Sequence, residues 1–165
     1  MALLLGDSFP DFEAETSKGR IKLHEYLGSS WGLICSHPAD YTPVCTTELG
    51  TCAKLDSEFA KRDIKLLCLS CDPVDSHVGW VADIKAASGF EPQFPLIADP
   101  DRTIATKLGM LHGDKHFSTG MPVTVRSVYI IGPDKKLKLS LTYPPGTGRN
   151  FDEVMATKIN IRFQD

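Results

Sequence analysis

Two short apolar runs, Trp31-Gly32-Leu33-Ile34-Cys35-Ser36 and Ile64-Lys65-Leu66-Leu67-Cys68-Leu69-Ser70, flank a stretch with helical periodicity. This alternation constrains the fold more than any other feature. Each run has the length of a strand and is apolar at consecutive positions, as expected of a strand buried on both faces. Between them the spacing predicts a helix from Thr42 or Pro43 to about Arg62. Leu49, Cys52, Leu55 and Phe59 recur there three and four residues apart and make one apolar face.

The rest of the chain continues the pattern. Pro10 to Leu27 reads as short strands and turns leading into a small helical piece. Asp75 or Ser76 is a candidate cap for a helix to about Ala87, with Val78, Val81 and Ile84 expected to point inward. Phe94 to Asp99 reads as a short strand, and Asp101 to Leu108 as a short helix closed by Gly109. Ser127–Ile131 and Leu137–Tyr143 predict a hairpin around Gly132-Pro133-Asp134-Lys135, and Asn150 a cap for a last helix. Alternating β and α elements ending in a hairpin predict an α/β fold: a central mixed sheet flanked by helices on both faces, in a thioredoxin-like layout. No repeat, low-complexity tract or long linker divides the chain, so residues 1–165 are expected to form one domain.

Composition narrows the function classes. The formal net charge of −3 gives no electrostatic basis for binding nucleic acid or an acidic membrane. No apolar run reaches the roughly 18 residues of a membrane span. The start, Met1-Ala2-Leu3-Leu4-Leu5, has no basic residue ahead of its apolar run, unlike a secretory leader. The five cysteines are odd in number and mostly fall within predicted strands and helices. Free thiols in a reducing, cytoplasmic setting fit better than a disulfide scaffold.

One of these cysteines stands apart. In Pro38-Ala39-Asp40-Tyr41-Thr42-Pro43-Val44-Cys45-Thr46-Thr47-Glu48, Pro43 suits the first helical position, where a missing N–H costs nothing. Cys45 then falls in the first turn, where unpaired N–H groups and the helix dipole stabilise an anion. Arg126 and Arg149 are candidate cations beside it. The Thr42 hydroxyl can donate to one ligand oxygen and accept from another, which suits orienting a small hydroperoxide.

Pro38-x-x-x-Thr42-x-x-Cys45 resembles the active-site motif of the peroxiredoxins. Ser36-His37-Pro38 and Pro43-Val44-Cys45-Thr46-Thr47-Glu48 are similar to the 1-Cys, or peroxiredoxin 6, subfamily. The likeness extends through Gly120–Arg126, Gly132–Leu137 and Thr147–Glu153. It implies that Cys45 is the peroxidatic cysteine, that Thr42 and Arg126 bind the peroxide, and that Pro38 shields the sulfur. Glu48 would orient Arg126 and Arg149, and His37 would line the pocket. The implied reaction turns the Cys45 thiolate into a sulfenic acid as it reduces hydrogen peroxide or an organic or lipid hydroperoxide. No metal or organic cofactor is implied. The implied partners are an external thiol such as glutathione, or a glutathione transferase that delivers it, and a second copy of the chain in a homodimer.

The family continues into a C-terminal domain that takes part in dimerisation, whereas the similarity here fades after Val154. An altered dimer, a more open site and an apolar patch near the final helix are the corresponding expectations. A different class of function, a redox sensor or chaperone-like protein with Cys45 as its switch, is the alternative.

The remaining cysteines offer Cys45 no internal partner. Cys52 is seven residues further along the same predicted helix, so the two Cα atoms are roughly 10 Å apart, beyond disulfide reach. Cys35 reads as core. Cys68-Leu69-Ser70-Cys71 is a CxxC, but Cys68 lies inside a strand rather than at a helix start, and no second ligand pair suits zinc. Gly28-Ser29-Ser30-Trp31-Gly32 matches G-x-S-x-G, yet Ser30 precedes a strand instead of following one. The peroxiredoxin 6 resemblance attaches a secondary phospholipase A2 activity to this motif, with Ser30, His24 and Asp134 as the matching residues.

Overall fold

The computed structural model describes residues 3–113 and 121–154. The two apolar runs form adjacent strands, β3 (Trp31–Ser36) and β4 (Ile64–Ser70), parallel and in register from Trp31↔Ile64 to Ser36↔Leu69. The helix between them, α2, spans Pro43–Lys61. Before this unit come β1 (Glu13–Thr16), β2 (Gly19–Lys22) and the short α1 (Leu23–Leu27). After it come α3 (Val74–Ser88), β5 (Leu96–Ala98), α4 (Thr103–Leu108), β6 (Arg126–Ile131) and β7 (Leu137–Tyr143). The seven strands make one mixed sheet in the order β2-β1-β5-β4-β3-β6-β7.

Alternation along the central strands sends side chains to two cores, one on each face of the sheet. Leu33, Leu66 and Val128 meet Leu49 and Phe59 of α2 and Trp80 and Ile84 of α3. Ile34, Leu67, Leu69 and Ile131 meet Leu23 and Leu27 of α1 and Ile104 and Leu108 of α4. Helices therefore cover both faces, as the sequence predicts. Gly109 closes α4 with φ 68°, and the Asn150 carboxamide accepts from the N–H groups of Asp152 and Glu153 at 3.1 and 3.3 Å as the expected cap. The segment from Met155 on, where the apolar patch is expected, lies outside the described residues, as does Gly120.

One helix differs in phase from its prediction. Val78 of α3 is 54% exposed, whereas His77, Trp80 and Ile84 form the buried stripe. A histidine fits there because both ring nitrogens find oxygen partners, Asp40 at 2.6 Å and the Ile97 carbonyl at 2.9 Å. Such partners satisfy a buried polar group that an apolar-pattern reading assigns to solvent.

Candidate active site

The site is built where β3 hands over to α2. After Ser36 the chain turns through His37–Thr42, with Tyr41 in the left-handed region at φ 63°. The Tyr41 hydroxyl lies over Gly79 of α3, where a Cβ would meet it at 2.5 Å. Thr42 is extended (φ −85°, ψ 148°) and precedes Pro43, the first helical residue. Its hydroxyl donates to the Ala39 carbonyl at 2.9 Å, leaving the oxygen lone pairs as acceptors. Cys45 sits in the first turn of α2 and is fully buried.

A cluster of three charged side chains lies beside its sulfur. Nη1 of Arg126, at the start of β6, is 3.2 Å from Cys45 Sγ and 2.5 Å from Glu48 Oε1. The Nε of Arg126 donates to the Pro145 carbonyl at 2.7 Å, which fixes the plane of the guanidinium. Glu48 lies one turn beyond Cys45 on α2. Its Oε2 accepts from the backbone N–H and the Nε of Arg149 at 2.7 and 2.9 Å, and its Oε1 from Nη2 at 3.1 Å. Nη1 of Arg149 donates to the Ser127 carbonyl at 2.7 Å. Glu48, Arg126 and Arg149 are only 4%, 3% and 8% exposed. Two guanidinium groups and one carboxylate leave a buried surplus of one positive charge. Burying an unbalanced charge is costly, and a Cys45 thiolate at hydrogen-bond distance from Arg126 neutralises it. A cleft of about 310 Å³, lined in part by Pro43, Val44, Glu48 and Arg149, opens beside this cluster.

A second buried network lies behind the loop. His37 Nε2 is 2.7 Å from Asp40 Oδ1, and His77 Nδ1 is 2.6 Å from Asp40 Oδ2. Ser76 also donates to Oδ2, at 2.8 Å. Burial alone would raise the Asp40 carboxyl, but the two imidazoles overcome this and hold it well below the usual carboxylate range. The network ties the loop that precedes Cys45 to α3 and, through His77 and Ile97, to β5. The His37 ring packs 5.0 Å from that of Trp80, whose Nε1 donates to Thr46 next to Cys45. Among the described residues, His37 Nδ1 has no hydrogen-bond partner despite its burial. His37, Asp40 and His77 are also the one group of described residues whose metal-ligating atoms lie within 4.8 Å of one another. The nitrogens and oxygens facing one another there are already hydrogen-bonded, which suits a structural network better than a metal.

The structure thus brings together Cys45, Arg126, Glu48 and Arg149, and places Thr42, Pro38 and His37 on the loop leading to them. Ser30, His24 and Asp134 have separate partners. Ser30 donates to Asp63 at 2.8 Å, the His24 ring contacts the Phe9 carbonyl at 2.8 Å, and Asp134 pairs with Lys138 at 3.1 Å. Asp40 and His77 are missing from the residues that sequence reasoning singles out. Asp40 lay within the cysteine stretch itself, and His77 on the Trp80–Ile84 stripe was the available signal.

A thioredoxin-like sheet with a guanidinium-paired cysteine in the first turn of the helix after a central strand defines a thiol redox protein. The comparisons with known proteins carry this further. The model of the AhpC/TSA family matches residues 5–140. Peroxiredoxin-6 of Gallus gallus is 57% identical over 157 residues, covering 93% of this chain and 70% of the relative. Peroxiredoxin-6 of Homo sapiens is 54% identical over 164 residues, covering 97% and 73%. Among solved structures, a mutant peroxiredoxin 6 of Arenicola marina superposes with a TM-score of 0.89 at 52% identity, covering 93% of this chain and 71% of that one. A yeast mitochondrial 1-Cys peroxiredoxin gives 0.92 at 43% identity, covering 99% and 78%. The chain belongs to the AhpC/TSA family and, within it, to the peroxiredoxin 6 group of thiol peroxidases. Peroxiredoxins act on peroxides with thiol reductants and use no bound cofactor. No helix among the described residues is long and apolar enough to cross a membrane.

Proposed function

We propose that this chain reduces hydrogen peroxide and organic hydroperoxides at Cys45 and is regenerated by an external thiol, glutathione being the first candidate. The observation that carries this reading is the 3.2 Å contact between Cys45 Sγ and Arg126 Nη1 inside a buried cluster with a surplus positive charge. The Cys45 thiolate attacks one peroxide oxygen and the O–O bond breaks. The departing oxygen takes up a proton and leaves as water or an alcohol, and Cys45 becomes a sulfenic acid. Arg126 donates to the oxygens as negative charge moves across them. Thr42, whose proton is committed to Ala39, accepts from the peroxide O–H and so fixes its orientation. Glu48 and Arg149 hold Arg126 in place, and Pro38 and His37 wall the approach.

Cys52 lies on the same helix as Cys45, two turns on, and cannot reach it without unwinding. An outside thiol therefore attacks the sulfenic sulfur, releasing water and forming a mixed disulfide. A second thiol frees Cys45. The yeast relative is described as resolved through glutathione and thioredoxin systems, which makes both natural candidates here. Stopped-flow peroxide consumption with each reductant tests the proposal. Loss of turnover in Cys45→Ser is expected, and an unchanged rate in that variant would overturn the assignment.

A further inference from the structure

Three more thiols converge beneath the Cys45 helix, and the reaction proposed above uses none of them. Cys35 on β3 and Cys68 on β4 are directly opposed in the parallel register, and their Sγ atoms are 2.7 Å apart. Sulfur atoms in ordinary van der Waals contact stay further apart than this. Cys52 of α2 belongs to the same buried cluster. All three are fully buried. Neighbouring strands run ~4.8 Å apart, and a disulfide needs Cα atoms between about 4.4 and 6.8 Å. The sheet therefore already holds Cys35 and Cys68 at a bonding separation, with no backbone movement required.

The CxxC spacing suggests a different pair, but Cys68 and Cys71 are an odd number of residues apart. Cys71 also lies beyond the end of β4, so the two do not share a strand. Cys68 sits in the core under α2, while the Cys71 thiol lies near the backbone of Thr124. Charge also distinguishes the three clustered thiols. The neighbouring thiols of Cys52 and Cys68 lower the Cys35 thiol, whereas burial raises Cys52 and Cys68.

We propose that Cys35 and Cys68 form a disulfide between β3 and β4 on exposure to hydroperoxide, a second redox site separate from Cys45. The thiolate of one of the two takes one oxygen from the peroxide, the O–O bond breaks, and the other oxygen leaves protonated as water or an alcohol. The second thiol then attacks the sulfenic sulfur and water departs. In sum, two thiols and one hydroperoxide give one disulfide, one alcohol or water, and one further water. Access requires α2 to open locally from the sheet, so this oxidation follows that of Cys45 in time. The bond ties β3, the strand that feeds the Cys45 loop, to its neighbour.

The test uses the full chain treated with hydrogen peroxide, quenched by alkylation under denaturing conditions, digested without reductant and read by mass spectrometry. The expected product is a peptide pair joined through Cys35 and Cys68, two hydrogens lighter than the free peptides and absent from untreated protein. It should persist in Cys45→Ser, which separates it from the fate of the peroxidase reading, and disappear in Cys35→Ala and in Cys68→Ala. Recovery of both residues as alkylated thiols, at a peroxide dose that has fully oxidised Cys45 in the wild-type chain, overturns the proposal. So does a cross-link that joins Cys68 to Cys71 instead.

Discussion

Arg126 Nη1 lies 3.2 Å from Cys45 Sγ, although 81 residues separate the two in sequence. The same nitrogen donates to Glu48, so a single hydrogen-bond donor couples the sulfur to the carboxylate one turn beyond it. The geometry of this donor leads to the first prediction. Arg126→Lys keeps the charge but loses the planar fork that bonds Pro145, Glu48 and Cys45 together. Peroxide consumption by this variant should fall on the order of 10²-fold in kcat/KM, the scale of removing one aimed donor from a developing negative charge. Steady-state kinetics beside an unchanged circular dichroism spectrum would check it.

Glu48 is only 4% exposed and holds two buried guanidinium groups. Glu48→Gln preserves its shape and removes its charge, leaving both cations without their carboxylate. Removing one partner of a buried ion pair typically costs about 3 kcal/mol or more. A urea unfolding midpoint well below that of the wild type is expected, and an unchanged midpoint would contradict the charge balance described above.

Asp40 gives a dependence on pH. Its carboxyl is held below its ordinary value in the folded chain, so it stabilises the fold above its unfolded pKa of about 3.9. That stabilisation is lost as pH falls through the lower folded value. Asp40→Asn cannot ionise. The stability gap between wild type and Asp40→Asn should therefore hold steady at neutral pH and shrink below about pH 4. Urea titrations of both proteins from pH 3 to 7 measure the gap, and a gap that widens on acidification would reverse the sign.

Burial pushes the Cys71 thiol up to about 11. At pH 8 its thiolate fraction is then roughly one part in a thousand, and thiolate is the reactive form. Brief iodoacetamide treatment of the native protein at pH 8 should leave Cys71 unlabelled, with peptide mapping as the readout. Rapid labelling at Cys71 would show that its surroundings are not as dry as the structure has them.

Much of the frame was legible because its signals are local. β3 and β4 begin and end where the apolar runs do, and α2 starts at Pro43 because proline suits that position and Leu49, Cys52 and Phe59 keep one face inward. The phase of α3 was not legible. His77 replaces Val78 on the buried side only because Asp40 and the Ile97 carbonyl arrive from distant parts of the chain to satisfy it. Likewise the CxxC spacing pointed to Cys71, while strand register matched Cys68 with Cys35.

The sequence by itself determined the strand–helix–strand unit and the first-turn position of Cys45, since periodicity, proline geometry and helix-end chemistry act over a few residues. Tertiary structure decided the charge around that sulfur. Arg126 reaches it from β6 and Arg149 joins through Glu48, which can bind both only after the sheet has brought β6 and the segment after β7 against α2. Electrostatic balance in a buried site depends on distance through space, and distance through space is what a linear pattern of residues does not specify.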